Sequence, residues 1–166
     1  MARGMARVTM KALLPVSAQR LWPLVRWDGR LLDWYPGALA LEVEGSEKGD
    51  LRRLRLRDGA VLVHRLDHMS RIEDAYTYSV LAGSYPVSDC LAQIRVLQHE
   101  EDGRATLVWT ANFRPAGVSE DAAETFIRRL YQTGFDTLFN RLAISAAAAS
   151  ARAGLHNGPN TPQQGS

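Results

Sequence analysis

The stretch LRRLRLRDGAVLVHRL, residues 51–66, decides the fold that this sequence predicts. Apolar residues recur at every second position on both sides of its Asp58-Gly59 pair. An apolar period of two on either side of such a turn signal is typical of a β-hairpin with one buried face. The sequence therefore predicts two neighbouring antiparallel strands here.

The register of this hairpin follows from its leucines, which must share one face. Leu56 should oppose Ala60 across a three-residue loop that ends in Gly59, the residue best suited to a left-handed conformation. This register places Arg52 directly across from His64, with both side chains pointing inward. An inward arginine and histidine are costly in a dry core but are tolerated in a wet cavity that holds a ligand.

Arg52 and His64 are accordingly the candidate catalytic residues. Arg52 could bind a carbonyl, enolate or carboxylate oxygen, and His64 could exchange a proton near neutral pH. The alternative is structural: both side chains bend toward the mouth of the fold and meet Asp or Glu side chains there.

The remaining elements extend the sheet outward from this hairpin. Ser17 is positioned to cap a short helix that ends at about Arg26, and a second short helix within residues 28–37 is interrupted by Pro36. No long helix separates the later strands, which predicts an antiparallel sheet. About seven strands are expected, at residues 6–14, 39–43, 51–56, 60–66, 75–81, 87–96 and 105–113.

A long C-terminal helix follows the last strand. Ser119 precedes an acidic first turn, and the helix of ~30 residues should reach the alanine-rich region near Ala149. Its apolar stripe consists of Phe126, Ile127, Leu130, Tyr131, Gly134, Phe135, Leu138 and Leu142. The sequence thus predicts one α+β domain over residues 1–153, with a curved antiparallel sheet around this helix, and a disordered tail over residues 154–166.

A curved sheet closed over one helix leaves an internal space, and strand parity indicates which side chains face it. This space should bind a small hydrophobic or aromatic molecule. Alternatively, the same side chains fill a solid core. The predicted lining comprises Trp22, Trp34, Tyr35, Tyr76, Tyr78, Cys90, Trp109, Ala111, Phe113, Phe126, Tyr131 and Phe135.

Composition excludes several classes of function. The net charge is +2 in 166 residues, so no strong field favours nucleic acid, and the arginines at 53, 55 and 57 are better explained as a solvated strand face. A single cysteine, Cys90, excludes an internal disulfide, and its use as a nucleophile would require His64 as a base. No apolar segment is long enough for a membrane span and no zinc-ligand spacing occurs, so we expect a cytoplasmic protein without a metal or other cofactor. The Arg- and Ala-rich composition is typical of bacterial proteins, and the oligomeric state is left open.

Short motifs along the chain resemble a known superfamily. They are Trp34-Tyr35-Pro36-Gly37, then Glu44-Gly45 with Gly49 and Arg52, then Arg65-Leu66, and finally Gly83, Pro86-Val87 and Asp89. Together with the order of elements, they are similar to the START-related polyketide cyclase/dehydratase and lipid-transport superfamily (SRPBCC). The likeness covers roughly residues 6–142.

This resemblance implies the helix-grip fold and an internal site for a hydrophobic, polyketide-like ligand. Members include cofactor-free cyclases, dehydratases and isomerases as well as non-catalytic carriers or sensors, so both classes of function are open. The chain departs from its relatives at three positions. His64 stands where relatives often carry an acid, and Ala82 and Cys90 replace an acid and a tyrosine.

Overall fold

The structure is a computed structural model and describes residues 4–156. The chain forms, in order, β1 (Ala6–Leu14), α1 (Ala18–Val25), a 3-10 turn (Leu31–Asp33), β2 (Ala38–Val43), β3 (Leu51–Leu56), β4 (Val61–Ser70), β5 (Ala75–Ala82), β6 (Val87–Gln98), β7 (Ala105–Pro115) and α2 (Glu120–His156). This is the predicted α+β helix-grip architecture, with two short helical elements after the first strand.

All seven strands belong to one antiparallel sheet with the order β1-β7-β6-β5-β4-β3-β2. Strand β1 does not pair with β2, which follows it in the sequence. It pairs with β7, from Ala6 opposite Phe113 to Leu14 opposite Ala105. The inner face of the sheet is covered by α2. The buried stripe of α2 consists of Ala123, Ile127, Tyr131, Phe135, Leu138 and Leu142, at the three- and four-residue spacings of one helix face.

The predicted hairpin register is confirmed. Arg52 pairs with His64 and Leu54 with Leu62, and the amide of Leu56 donates to the carbonyl of Ala60. Gly59 adopts a φ of +88°, the left-handed conformation that the loop requires. The arginine and histidine therefore project to the inner face, as expected.

Four local expectations differ from the structure. Ser17 makes no side-chain cap for α1, because the carboxamide of Gln98 accepts from the amide of Ala18 instead, at 2.6 Å. The second helix is only one 3-10 turn, and β4 continues to Ser70, past its predicted end at Leu66. Helix α2 spans 37 residues and extends through His156, beyond the predicted end near Ala149. The rest of the predicted tail, residues 157–166, lies outside the described residues.

Candidate functional site

The centre of the candidate site is the buried pair formed by Arg52 on β3 and His64 on β4. The exposed fractions of the two side chains are 0% and 1%. Arg52 Nε donates to His64 Nδ1 at 3.1 Å, so the two side chains bond to each other inside the fold. The alternative in which both reach acidic groups at the mouth is therefore wrong.

A ring of aromatic side chains, here called the guanidinium cage, surrounds Arg52. It consists of Trp27, Tyr76 and Tyr78, whose ring centroids lie 4.4, 5.3 and 4.9 Å from the guanidinium carbon. Arg52 Nη1 also donates to the carbonyl of Trp27 at 2.8 Å and to the hydroxyl of Tyr76 at 3.3 Å. The π faces and these dipoles hold the cation where water cannot reach it.

Two backbone carbonyl groups, one at the end of α1 and one in the loop between β2 and β3, anchor this cage. The Tyr76 hydroxyl donates to the carbonyl of Val25 at 2.8 Å, and the Trp27 indole donates to the carbonyl of Gly45 at 2.7 Å. Trp27 was not among the predicted site residues, because a single tryptophan in a turn belongs to no periodic pattern. Its signal in the sequence is a large apolar residue between a short helix and Asp28-Gly29.

Two polar atoms of the buried pair have no hydrogen-bond partner among the described residues. They are Arg52 Nη2 and His64 Nε2. Because His64 Nδ1 accepts from Arg52, the proton of the neutral imidazole must be on Nε2, which makes this atom a donor. The part of the chain that the structure describes thus leaves two buried donors, on two hydrogen-bonded side chains, without an acceptor.

Burial and the adjacent Arg52 guanidinium hold the pKa of His64 well below its ordinary value of 6.5. His64 is therefore neutral at physiological pH. It is a hydrogen-bond donor of fixed tautomer, and the expectation that it exchanges a proton near neutral pH is corrected. Burial likewise raises the pKa of Tyr35, Tyr76 and Tyr78, so their hydroxyls stay protonated.

This lowered pKa makes stability depend on pH. Below the ordinary histidine pKa the unfolded chain takes up a proton that the folded His64 rejects, so the free energy of unfolding should fall as the pH decreases. The slope reaches about 1.4 kcal/mol per pH unit and vanishes once the pH passes below the folded pKa. Denaturation with guanidinium chloride at about pH 7.5 and about pH 5.5 measures this pH dependence. The variant His64→Gln should have a shallower dependence, and His68→Gln, at an exposed position, should keep that of the wild type.

A second group of predicted residues, here called the aromatic core, packs between the sheet and α2. It consists of Trp34, Trp109, Tyr131 and Phe135. Trp109 stacks on Tyr131 with centroids 3.7 Å apart and planes 9° apart, and contacts Trp34 edge-on at 5.6 Å. Phe135 lies 6.3 Å from Trp109. All four side chains are buried and pack against one another, and the expectation that they line a ligand-binding space stays a prediction.

The close contact of α2 with this core depends on Gly134. A Cβ atom at this position would lie 3.3 Å from the ring of Trp109 and 3.4 Å from that of Trp34. The glycine therefore lets two indoles approach the helix backbone.

An open pocket of about 570 Å³, here called the rim pocket, lies where β5 and β6 separate. Pairing of these strands ends at Val80 opposite Cys90, and the chain between them includes Tyr85. Val80, Tyr85 and Cys90 line the pocket together with polar side chains such as Arg65 and Asp89. Burial raises the pKa of the Cys90 thiol to about 11, which disfavours its use as a nucleophile.

A chain of neighbours connects the rim pocket with the buried pair. The hydroxyls of Tyr85 and Tyr35 lie 3.2 Å apart, and the ring of Tyr35 lies 6.4 Å from that of His64. The His64 ring in turn lies 4.6 Å from the ring of Tyr78. Tyr85 was also missed by the sequence analysis, because a loop residue has no strand parity.

The other predicted lining residues belong neither to the guanidinium cage nor to the aromatic core. Trp22 is half-buried with its ring 6.1 Å from that of Tyr76, while Phe126 is one-third exposed and packs on Tyr85 at 5.0 Å. Ala111 and Phe113 are buried on β7 opposite Val8 and Ala6. No hydrogen bond or ring contact joins either of these β7 residues to Arg52 among the residues described.

Residues 4–156 contain neither a metal-binding cluster nor a membrane-spanning helix. No group of three or more His, Cys, Asp or Glu side chains there is arranged to hold a metal ion. No helix in the same range combines the length and the apolar character of a bilayer span.

Solved structures of other proteins are similar to this fold. The chain resembles the protein XoxI from Bacillus cereus, with 27% identity and a TM-score of 0.76 over 84% of this chain and 96% of that one. A protein from Bacillus thuringiensis has 27% identity and a TM-score of 0.75, covering 83% of this chain and 99% of its own. A protein from Nitrosospira multiformis, at 17% identity and a TM-score of 0.68, covers 82% and 96% and shares the fold.

No match was found among curated proteins. The family model described as polyketide cyclase / dehydrase and lipid transport matches residues 5–143, nearly the whole folded domain. The chain therefore belongs to this family of the SRPBCC superfamily, as the resemblance of its motifs predicted.

Proposed function

We propose that the protein binds a small hydrophobic or aromatic molecule in its interior, with an oxygen of that molecule accepting hydrogen bonds from Arg52 and His64. The observation that carries this proposal is the pair of buried donors without partners, Arg52 Nη2 and His64 Nε2, beside aromatic rings. A buried donor that forms no hydrogen bond costs about 1–3 kcal/mol. A ligand oxygen would recover that cost, and the neighbouring rings would contact its apolar part.

The rim pocket provides the route by which the ligand reaches this pair. Its volume of about 570 Å³ lies in the range of small-molecule sites. Access to His64 requires the Tyr35–Tyr85 hydroxyl contact to open, and Tyr85 belongs to the loop between β5 and β6. Movement of this one loop residue would extend the pocket toward the interior.

The second candidate function is catalysis, as a cofactor-free cyclase, dehydratase or isomerase. The alternative is a carrier that binds its ligand without catalysing a reaction. Two buried donors in a dry site would stabilise the negative charge that develops on an enolate oxygen. The same residues offer no base, since His64 Nδ1 is occupied by Arg52 and the tyrosine hydroxyls are protonated. A substrate that needs proton abstraction would depend on water for this step.

Equilibrium dialysis against three naphthalene probes tests the binding proposal. We expect 2-naphthoate or 2-acetonaphthone to bind about 10-fold or more tightly than 2-ethylnaphthalene, because a hydrogen bond to a charged group contributes about 1.5–3 kcal/mol. Arg52→Met should abolish this preference. Arg53→Met is the matched control, since its side chain is on the same strand but pairs with Glu44 at the surface.

Equal affinity for the hydrocarbon, or no effect of Arg52→Met, would contradict the proposal. Exchange of the α-protons of 2-acetonaphthone for deuterium, followed by proton NMR, separates the two classes of function. Acceleration by the wild type that is lost in Arg52→Met supports enolate chemistry, and the absence of acceleration supports carriage.

A further inference from the structure

The charge balance around Arg52 is incomplete. Its hydrogen-bond acceptors are a backbone carbonyl, a tyrosine hydroxyl and a neutral imidazole nitrogen, none of which carries a negative charge. The salt bridges among residues 4–156 lie on the surface, and Arg52 takes part in none of them. Among the residues that the structure describes, the buried Arg52 guanidinium therefore has no counter-ion.

Arginine cannot avoid this situation by losing its proton. The guanidinium group of arginine keeps its proton in proteins, whereas a buried lysine would become neutral. Burial of an ion is unfavourable because the ion loses its hydration, and neutral dipoles and ring faces offset only part of this cost. An anion at Nη2 would offset the remainder.

The titratable groups that face Arg52 do not supply this anion. His64 comes from β4, Tyr76 and Tyr78 come from β5, and Tyr35 precedes β2; all four are neutral near pH 7, since burial lowers the pKa of the histidine and raises those of the tyrosines. Asp28, in the turn after α1, contributes to the raised pKa of Tyr76 through its charge. Its carboxylate is at the surface, however, where it pairs with Arg26 at 3.2 Å. The interior near Arg52 thus carries a net charge of one positive unit.

We propose that the site selects ligands with one negative charge on oxygen, namely carboxylates, phenolates and enolates, and that it takes up weak acids as their conjugate bases. This inference rests on the proposed function and narrows its ligand class. When a phenol or enol binds, its O–H bond breaks, the electron pair stays on the oxygen facing Arg52 Nη2, and the proton goes to solvent water. The oxygen of a neutral ketone or ether would accept hydrogen bonds from Arg52 and His64 but would leave the positive charge of Arg52 without a counter-ion.

The absorbance of 4-nitrophenol, which differs between its acid and its anion, provides the test. An opposite charge within hydrogen-bond distance lowers the pKa of an acid by about 1–3 units, so the acid dissociation constant of the bound phenol should increase at least about 10-fold. The phenolate should also bind about 10-fold or more tightly than 4-nitroanisole, which has the same ring and a neutral ether oxygen.

Two variants and one control identify Arg52 as the cause. In Arg52→Met the acid dissociation constant of the bound phenol should decrease relative to water, because burial then acts alone. Arg52→Lys should retain less of the shift than the wild type, because a buried lysine without a counter-ion becomes neutral. Arg53→Met should behave as the wild type. The comparison of phenolate with anisole on the wild-type protein remains decisive if Arg52→Met does not fold.

Each result has a distinct meaning. If the anisole and the phenolate bind equally well, the charge inference is overturned while the proposed function stands. If the bound phenol has an unchanged or decreased acid dissociation constant in the wild type, the inference is also overturned. If neither probe binds and the naphthalene probes also fail to bind, the proposed function fails together with the inference.

Discussion

Replacing Trp109 with alanine is expected to lower the free energy of unfolding by about 3–5 kcal/mol. The indole is completely buried, stacks on Tyr131 and donates from Nε1 to the Tyr78 hydroxyl at 3.1 Å. Its removal leaves a cavity in the aromatic core that α2 and β7 cannot close without moving apart. For a domain of this size the melting temperature should decrease by about 6–20 °C.

Chemical denaturation followed by circular dichroism measures this loss. Trp22→Ala is the control, because that ring is half-buried and should cost clearly less. A loss of less than about 1 kcal/mol for Trp109→Ala would show that the indole borders an open space rather than filling a packed core. The same measurement thus decides between the two interpretations of this side chain that the sequence allowed.

The variant Gly29→Ala is expected to destabilise the domain by about 2–4 kcal/mol. A Cβ atom at this position would lie 2.8 Å from the carbonyl oxygens of Pro23 and Leu24 and 2.9 Å from that of Arg26. These are backbone atoms, which cannot rotate away as a side chain could. The turn after α1 must therefore shift, and with it the nearby carbonyls that accept from Arg52 and Tyr76.

Thermal unfolding and dialysis with 2-naphthoate together check this prediction. We expect a lower melting temperature and, at a temperature where the variant is still folded, weaker binding of the probe. Gly154→Ala is the matched control, since its Cβ would enter open space on a helix and should stabilise α2 by up to about 1 kcal/mol. Wild-type stability and affinity in Gly29→Ala would refute the role of this turn.

The sequence predicted the sheet and the Arg52–His64 pair because both follow from local rules. The period of two, the glycine in the turn and the shared face of the leucines leave one register for β3 and β4, and this register determines which polar side chains point inward. Family resemblance then supplied the helix-grip fold. The pairing of β1 with β7 was not predicted, because no local pattern contains it.

The rest of the site could not be predicted for physical reasons. Strand parity shows that Trp109 points inward but not whether neighbouring rings fill the space around it. The acceptors of Arg52 and Tyr76 include the carbonyls of Trp27 and Val25, and a backbone carbonyl has no signature in the sequence. The neutral state of His64 depends on burial and on the hydrogen bond from Arg52, both of which require three-dimensional distances.

The hairpin that carries the buried pair also has a consequence for the order of folding. Arg52 and His64 are 12 residues apart, and hairpins of this kind form in about 1–10 μs. Pairing of β1 with β7 joins the two ends of the domain and must be slower, because contacts distant in sequence form late. We therefore expect the two side chains to meet while both are still hydrated. Water leaves the guanidinium only when the rings of Trp27, Tyr76 and Tyr78 close around it, so the cost of its dehydration belongs to a step after the hairpin has formed.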